Sequence, residues 1–331
     1  MVKGQIFSQF MYGGESTYGT AATRDTVLSR VQTFDPSETN SMIYERGLGE
    51  GVNVVKSYYG PYNCGGSINF NVNDFDFLKH FVGPKTGDGA AEGSAYTLTE
   101  ATSVEANNTS LQPFSFEAAN ITESTDDVQL FDGCVGNDFS LSGTVDSILT
   151  CDANFFGRKT YRTTSATNYT ASTVSSFVMI NGTWKWGSTP SEMSGVRSFT
   201  LNYTNGFSPD NFRSIESRFI NIPVLQGARG YSGAVTVAAS QSLASTIYTS
   251  FYGQTPSDGP EDGSSGIEPT ADLEFKIEFI SGSKYAIIWL DQCSIDNISE
   301  PVAIGNGVML MTFNFTAKYG KGNAPIRWWS V

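Results

Sequence analysis

The sequence predicts an all-β-dominated chain: two tandem β-sandwich or barrel domains, each with one short flanking α-helix. Three observations carry this expectation. Apolar and polar residues alternate with period two along much of the chain. Helical periodicity is confined to two short stretches. Those stretches stand at matching places in two ordered series of similar segments, the mark of an internal repeat.

The strands come first. SINFNVN sets Ile68, Phe70 and Val72 on one face and Asn69, Asn71 and Asn73 on the other. ADLEFKIEFI sets Leu273, Phe275, Ile277 and Phe279 against Glu274, Lys276 and Glu278. SFTLNYTNGF alternates Phe199, Leu201 and Tyr203 with polar neighbours, and DFSLSGTV and VMLMTFNFTAKY follow suit. Each reads as a half-buried strand. FVMINGTWKWG places Asn181-Gly182 between apolar runs, which predicts a tight hairpin. The first helix is expected in DFDFLKHFVG, with Asp74 or Asp76 as cap and Gly83 as stop. The second is expected in SQSLASTIYTSFYG, with Ser240 as cap, Leu243, Ile247 and Phe251 on one face and Gly253 as stop.

The repeat rests on three ordered matches. Strand then helix then glycine recurs, Gly66 matching Gly233. VQLFDGCVGNDFSLSG resembles AIIWLDQCSIDNISEP, with Asp132 and Cys134 matching Asp291 and Cys293. LTCDANFFGRK resembles LMTFNFTAK, with Asn154-Phe155 matching Asn314-Phe315. The expected division is an N-terminal arm at 1–24, a first domain at 25–160, a connector with the hairpin at 161–194, and a second domain at 195–331.

Composition narrows the function. The 331 residues carry 33 acidic and 20 basic side chains, for a net charge of −13. That balance argues against a protein that grips nucleic acid, which needs Lys and Arg on phosphates. Residues 86–127 hold Asp88, Glu92, Glu100, Glu105, Glu117, Glu123, Asp126 and Asp127 with no Lys or Arg. Residues 254–275 hold Asp258, Glu261, Asp262, Glu268, Asp272 and Glu274, again with none. Both read as solvated loops, facing either inward or outward in an assembly. No apolar run reaches the ~18 residues of a membrane span, and MVKGQIFSQFMYGGE lacks the apolar core of a secretory leader.

Catalytic chemistry finds little to work with. His80 is the single histidine and sits in an apolar segment, where a structural role is the expectation. Cys64, Cys134, Cys151 and Cys293 form no CxxC pair, so no zinc ribbon is expected; they read as reduced and buried, with Cys134 and Cys151 able to meet across paired strands. No GxSxG, GxGxxG or GxxxxGK[ST] occurs. The expectation is no enzyme, no metal and no cofactor. Asn-x-Ser/Thr triplets at Asn120, Asn202 and Asn297 read as coincidence. A carboxylate-only hydrolase is the weakest alternative, since no acidic pair stands out.

The segments ESTYGTAATRD, SINFNVNDFDFLKHFVG, TLTEAT and FDGCVGNDFSLSGTVDSILTCDANFFG together resemble the tail tube (major tail) proteins of long-tailed bacterial and archaeal viruses. The likeness covers much of residues 15–160 and recurs more faintly in the second half. It implies tube-type β-sandwich or barrel domains that pair sheets between neighbours and close a ring around a hollow lumen. Stacked rings would pass DNA without binding it specifically. A duplicated subunit implies homotrimeric, pseudo-hexameric rings. The implied partners are other copies of the chain and, at the tube ends, tape-measure, terminator and distal tail proteins, with no membrane. The implied place is the virion tail, after synthesis in the host cytoplasm.

Contact candidates between copies are Tyr18, Arg24, Trp328 and Trp329, the last two in APIRWWSV, where adjacent rings fall on opposite strand faces. Phe34–Tyr62 is the expected stacking loop. An alternative of a different class is a carbohydrate-binding or adhesin module of two β-sandwiches, with Trp184 and Trp186 as an exposed sugar platform.

Overall fold

The computed structural model describes residues 5–46, 54, 56–101, 103–104, 110–122, 125–170, 172–208, 212–224, 229–238, 240–253, 257, 273–300, 310–317 and 326–330. The architecture is two layers of large antiparallel sheets around a core rich in aromatic rings. In the first half, β1 (Gln5–Gly14) pairs with β2 (Thr26–Val27) and with β7 (Phe114–Thr122). β7 pairs with the start of β8 (Asp127–Thr144), whose other edge there is taken by β10 (Lys159–Thr163). The end of β8 belongs to a second sheet, ordered β3 (Val31–Glu45), β4 (Lys56–Asn71), β9 (Thr150–Gly157), β8.

That second sheet does not stop at β8. The free edge of its last residues pairs with β13 (Val196–Thr204), with Ser140 opposite Asn202. β14 (Gly230–Ala238), β17 (Leu310–Ala317) and the end of β16 (Lys284–Ser299) follow in order. The result is one eight-stranded sheet, β3–β4–β9–β8–β13–β14–β17–β16. The start of β16 turns into the other layer. There it pairs with β15 (Leu273–Ser281) and β18 (Ile326–Ser330). β15 carries β11 (Gly182–Gly187) and β12 (Ser191–Glu192), and β18 carries β6 (Tyr96–Leu98) and β5 (Lys85–Thr86).

β8 and β16 change layers because each is bulged, and a bulge sharpens the local bend and twist. In β8 the register slips between Phe114/Phe116 and again between Gly136/Asp138. In β16 it slips between Leu273/Phe275 and again between Ile295/Asn297. The first bend holds Gly133 at φ +66 in one case and Gln292 at φ +52 in the other. The correspondence extends further. β3–β4 slips between Val31/Thr33 and β13–β14 between Val196/Ser198, and the residues just before, Arg30 and Gly195, both have left-handed φ. Gly66 lies opposite Phe155 as Gly233 lies opposite Phe315. In each case a Cβ on the glycine would press into a phenylalanine ring, Phe34 or Phe315 respectively, so both positions exclude a side chain.

Several expectations are corrected. Residues 5–14, read as part of an arm, form β1, and Met11 and Tyr12 are buried in this chain. β11 and β12, read as part of a connector, are built into a sheet, and they stand to β15 as β1 and β2 stand to β7. Tyr12 donates to Asp76 Oδ2 at 2.8 Å, and Trp186 Nε1 donates to Ser250 Oγ at 3.3 Å, so each first strand anchors its half's helical segment. The second segment is the expected α1 (Gln241–Tyr252). Ser240 Oγ accepts from Leu243 N, and Gly253 ends the helix at φ +77. Ile247 is buried, but Phe251 is exposed, so the apolar stripe is narrower than expected.

The first segment is a 3-10 turn, Asp76–His80, and not an α-helix. Phe75, Phe77, Leu78, Phe81 and Val82 are all buried and reach different neighbours. Phe75 meets Trp328, Phe77 meets Phe70, and Phe81 meets Phe139. A single amphipathic stripe cannot serve contacts in so many directions. No hairpin forms at Asn181-Gly182. Gly182 sits at φ −88, whereas a type I′ turn needs positive φ; the glycine instead makes room for the Trp184 ring. Cys134 and Cys151 do not meet, since Cys151 lies opposite Leu141 and Phe70. All four thiols are free and buried, and burial pushes Cys64 and Cys293 up to about 12.

His80 is structural. Its Nδ1–H donates to the Gln112 carbonyl at 2.8 Å, and its ring packs on Phe114, Tyr12 and Phe77. Burial, with Lys79 adding to it, lowers its pKa from 6.5 to about 3. The unfolded chain therefore binds a proton that the folded chain refuses between those values, so stability falls as pH drops below 6.5 and levels off near 3. His80→Gln is expected to remove this component. The stability difference between variant and wild type, from urea unfolding at pH 7.5 and 5, should shift towards the variant at pH 5.

Candidate functional site: a polar sheet face and its open edges

The eight-stranded sheet has one face in the core and one face exposed. Strand periodicity puts alternate residues on each. The core side carries Ile68, Phe70, Cys151, Ala153, Phe139, Leu141, Phe199, Leu201, Val235, Val237, Phe313 and Phe315, all buried. The exposed side can be read in rows across the strands. One row runs Thr33, Asn69, Asp152, Ser140, Asn202, Ser232, Thr316, Ser294. The next runs Asn71, Thr150, Ser142, Thr200, Ala234, Asn314, Asn297. A third runs Thr144, Ser198, Thr236, Thr312, Ser299. A fourth joins Asp35, Ser67, Asn154, Asp138 and Thr204.

These rows contain hydroxyls, amides and a few carboxylates, and no Lys or Arg. Many of their polar groups are tied to each other. Asn69 Nδ2 donates to Asp152 at 2.6 Å and Asn154 Nδ2 to Asp138 at 2.6 Å. Thr236 and Thr312 hydroxyls meet at 2.9 Å, and Thr316 donates to Asp296 at 2.6 Å. Cross-strand pairs of this kind each contribute about 0.2–1 kcal/mol and hold the side chains flat against the sheet. On the strands of this sheet the basic residues are Lys56, at the ribbon end of β4, and Arg197, at the bulge that opens β13, and neither falls in these rows. Lys159 and Arg162 are on β10, Lys185 on β11, Lys276 on β15 and Arg327 on β18, all in the opposite layer.

The sheet is not a closed barrel. Among the described residues, β3 pairs on one side only, and so does the end of β16. An unpaired edge of this length invites pairing with another chain. Beyond its pairing with β9, the β3–β4 ladder continues alone as a two-stranded ribbon to Glu45 and Lys56. Ile43, Tyr44, Tyr58 and Tyr59 are exposed on it, Tyr59 at 69 %. The expected stacking loop is therefore a ribbon where it is described; residues 47–53 and 55 lie outside the described residues. Its base is gripped from the second half. Arg213 donates to the Tyr62 carbonyl and to Asn63, and the Arg218 guanidinium lies over the Tyr59 ring.

The four contact candidates have partners within the chain. Trp328 is buried against Tyr96 and Phe75, and Trp329 stacks on Tyr285, so neither ring is left open. Tyr18 packs beside Arg158 and the Phe156–Phe207 cluster. Arg24 reaches Asp132 at 2.6 Å. Next to that pair, Glu15 is buried and accepts from Gly133 N, Ser115 Oγ and Gly19 N; burial raises its pKa against those bonds. Trp184 and Trp186 are buried too, which removes the exposed sugar platform.

The acidic loops are only partly solvated. Glu117 is buried in β7 and accepts from Thr167 N and Oγ1 and from Gln9. Most of 254–275 lies outside the described residues. Among the described residues no cluster of three His, Cys, Asp or Glu is placed to hold a metal ion, and no helix is long and apolar enough to cross a membrane.

A family model described as phage tail tube protein matches residues 8–317. The chain belongs to the phage tail tube protein family. No curated protein matches it. The match takes in most of β1 and the whole of the eight-stranded sheet, so the tail tube assignment applies to both halves and not only to the first. Members of this family are structural components of virion tails, and a tail tube chain assembles with copies of itself and with other tail components. Two features described above set the eight-stranded sheet apart: polar rows without Lys or Arg, and two edges open among the described residues. Sequence reading registered the polar alternation at Asn69, Asn71 and Asn73, but only strand register reveals that it continues through eight strands.

The Arg24–Asp132 pair offers a stability test. Asp132 is 1 % exposed in its side chain and Arg24 10 %. Removing one partner strands a buried charge, which costs about 3–5 kcal/mol. Arg24→Ala should lower the unfolding free energy from urea titration by up to that amount, with Lys159, 3.9 Å from Asp132 Oδ2, offsetting part of the loss, and Arg24→Ala/Asp132→Asn should recover part of it.

Proposed function

We propose that this chain is the wall element of a tail tube, with two tube-type units per chain spanning residues 5–163 and 182–330. Three copies close a ring of pseudo-sixfold symmetry, and stacked rings make a hollow tube through which DNA passes. The observation that carries this reading is the set of polar rows without Lys or Arg across the eight-stranded sheet, bounded by two open edges. A contact between two different edges repeats by rotation and closes into a ring. Closure removes the exposed edges that a lone sheet would leave.

The polar face suits a lumen. DNA affinity rests on cations that neutralise phosphates and release counterions. A wall of Ser, Thr and Asn with scattered Asp offers no such hold, so a duplex can slide. The described acidic residues of 86–127 add charge away from these rows, as solubility or as an outer surface. Ring contacts belong at the strand edges in this reading, and not at Tyr18, Arg24, Trp328 or Trp329, whose groups already have partners within the chain. The exposed ribbon of β3 and β4 makes the contact between successive rings.

Negative-stain microscopy of the purified protein should show rings or hollow tubes whose end views average to three chains. Monomers at high concentration would count against a tube, and six chains per ring would count against two units per chain. The lumen assignment has its own check. Asn69→Lys, Thr200→Lys and Thr312→Lys together should leave tubes intact but slow DNA release from virions that carry them. The effect should shrink as salt rises, because added phosphate contacts are salt-sensitive.

A further inference from the structure

We infer that the junction between neighbouring copies repeats, residue for residue, the junction between the two halves of one chain. This rests on the tube reading above and specifies its contact. The end of β16 of one copy pairs antiparallel with β3 of the next. Ser299 lies opposite Ser37 and Asn297 opposite Thr39, and the Asn40 backbone N–H donates to the Asp296 carbonyl.

Inside the chain the end of β8 already pairs with β13. Ser140 lies opposite Asn202, Asp138 lies opposite Thr204, and Asn205 N donates to the Asn137 carbonyl at 2.7 Å. The strands on either side of this junction have counterparts with the same register. Asp138 and Ser140 pair with Asn154 and Asp152, as Asn297 and Ser299 pair with Asn314 and Thr312. The bulge that precedes Asp138 precedes Asn297. On the other side, Ser198 pairs with Thr236 after a bulge, as Thr33 pairs with Asn69 after a bulge. The backbone N–H of Ala238 donates to the Gly195 carbonyl, as that of Asn71 donates to the Arg30 carbonyl. Mapping each strand through these registers carries Ser140 onto Ser299 and Asn202 onto Ser37.

Three further observations favour this contact. Both strands are unpaired on the edges concerned among the described residues, and Ser37 and Ser299 are exposed. Second, the junction inside the chain is locked by Asn205, which is fully buried. Its Nδ2 donates across the junction to the Gly136 carbonyl at 2.9 Å and to the Phe81 carbonyl at 2.8 Å. Its counterpart on β3 is also an asparagine, Asn40, and that residue is exposed. Third, a groove of about 590 Å³ opens beside the edge of β3, lined in part by Phe10, Leu28, Val31 and Phe34. The corresponding residues of the second half are Trp184, Met193, Val196 and Phe199. There Met193 N donates to the Trp184 carbonyl as Leu28 N donates to the Phe10 carbonyl. That region is closed at the junction, where Met179 covers Gly143 of β8 and Phe177 packs on Phe279. A second copy seated on β3 closes the equivalent groove.

The pairing is testable by cross-linking. Hydrogen bonds at Asn205–Asn137 and at Val145–Arg197 make Ser140–Asn202 a non-hydrogen-bonded pair, the closer kind, with Cα atoms about 4.5 Å apart. Its counterpart is within disulfide reach. Assembled tubes of Ser37→Cys/Ser299→Cys, mildly oxidised and run without reductant, should give linked dimers and closed trimers. The native thiols are buried and should not compete. Asp35→Cys/Ser299→Cys, two residues out of register, should link at least tenfold less. Tubes that form normally yet link no better at 37/299 than at 35/299 would overturn the register while leaving the tube reading intact. Absence of tubes or rings from the wild-type protein would instead count against the tube reading itself.

Discussion

The structure depends on one strand that serves four neighbours. β8 begins in one layer between β7 and β10, bends at Gly133, and ends in the other layer between β9 and β13. Its backbone groups are satisfied on both edges along most of its length, so no part of it can shift register alone. The bend needs a residue that tolerates positive φ, and a Cβ on Gly133 would crowd the Arg158 side chain and the Gly19 backbone. Beside it, Asp132 and Glu15 take up the backbone and side-chain donors that the bulge exposes. Loss of this corner would uncouple the two layers and, through β13, the two halves.

Around that corner the same sequence satisfies two opposite demands. The core face of the long sheet is closely packed with rings. Phe116 and Phe155 are 5.4 Å apart in the first half, and Phe275 and Phe315 are 4.7 Å apart in the second. Full burial of such side chains contributes about 1.5–3 kcal/mol each. The exposed face contributes little to stability, and its composition is therefore free to answer to function. Its side chains bond laterally, and much of their hydrogen-bonding capacity is used within the wall.

Much of the fold was legible because half-buried strands advertise themselves by alternation, and because Asp132/Cys134 and Asp291/Cys293 mark the same bend in each half. β1 was missed for a physical reason. Gln9, Met11 and Tyr12 are all buried, so the strand is covered on both sides and shows no clean alternation. The 3-10 turn was read as a helix because its apolar residues are dense, and density alone does not say how many directions they must face. Asn181-Gly182 carried a turn signature, yet the glycine serves the close approach of Trp184. The polar face was visible strand by strand in residues such as Asn69 and Thr200. Its continuity was not, since it depends on β8 meeting β13 across more than fifty residues of chain.

Among the described residues the β3–β4 ribbon has no equal in the second half. The segment after β13 instead folds back and lays Arg218 and Phe219 against Tyr59 and Tyr62. The halves are thus alike in their wall strands and unlike in what they present beyond them. Any surface that engages the ribbon meets it once per chain. In a ring with two wall elements per chain, a stacking partner would therefore be read with a coarser angular step than the wall itself possesses, and the intervening elements would be released from that constraint.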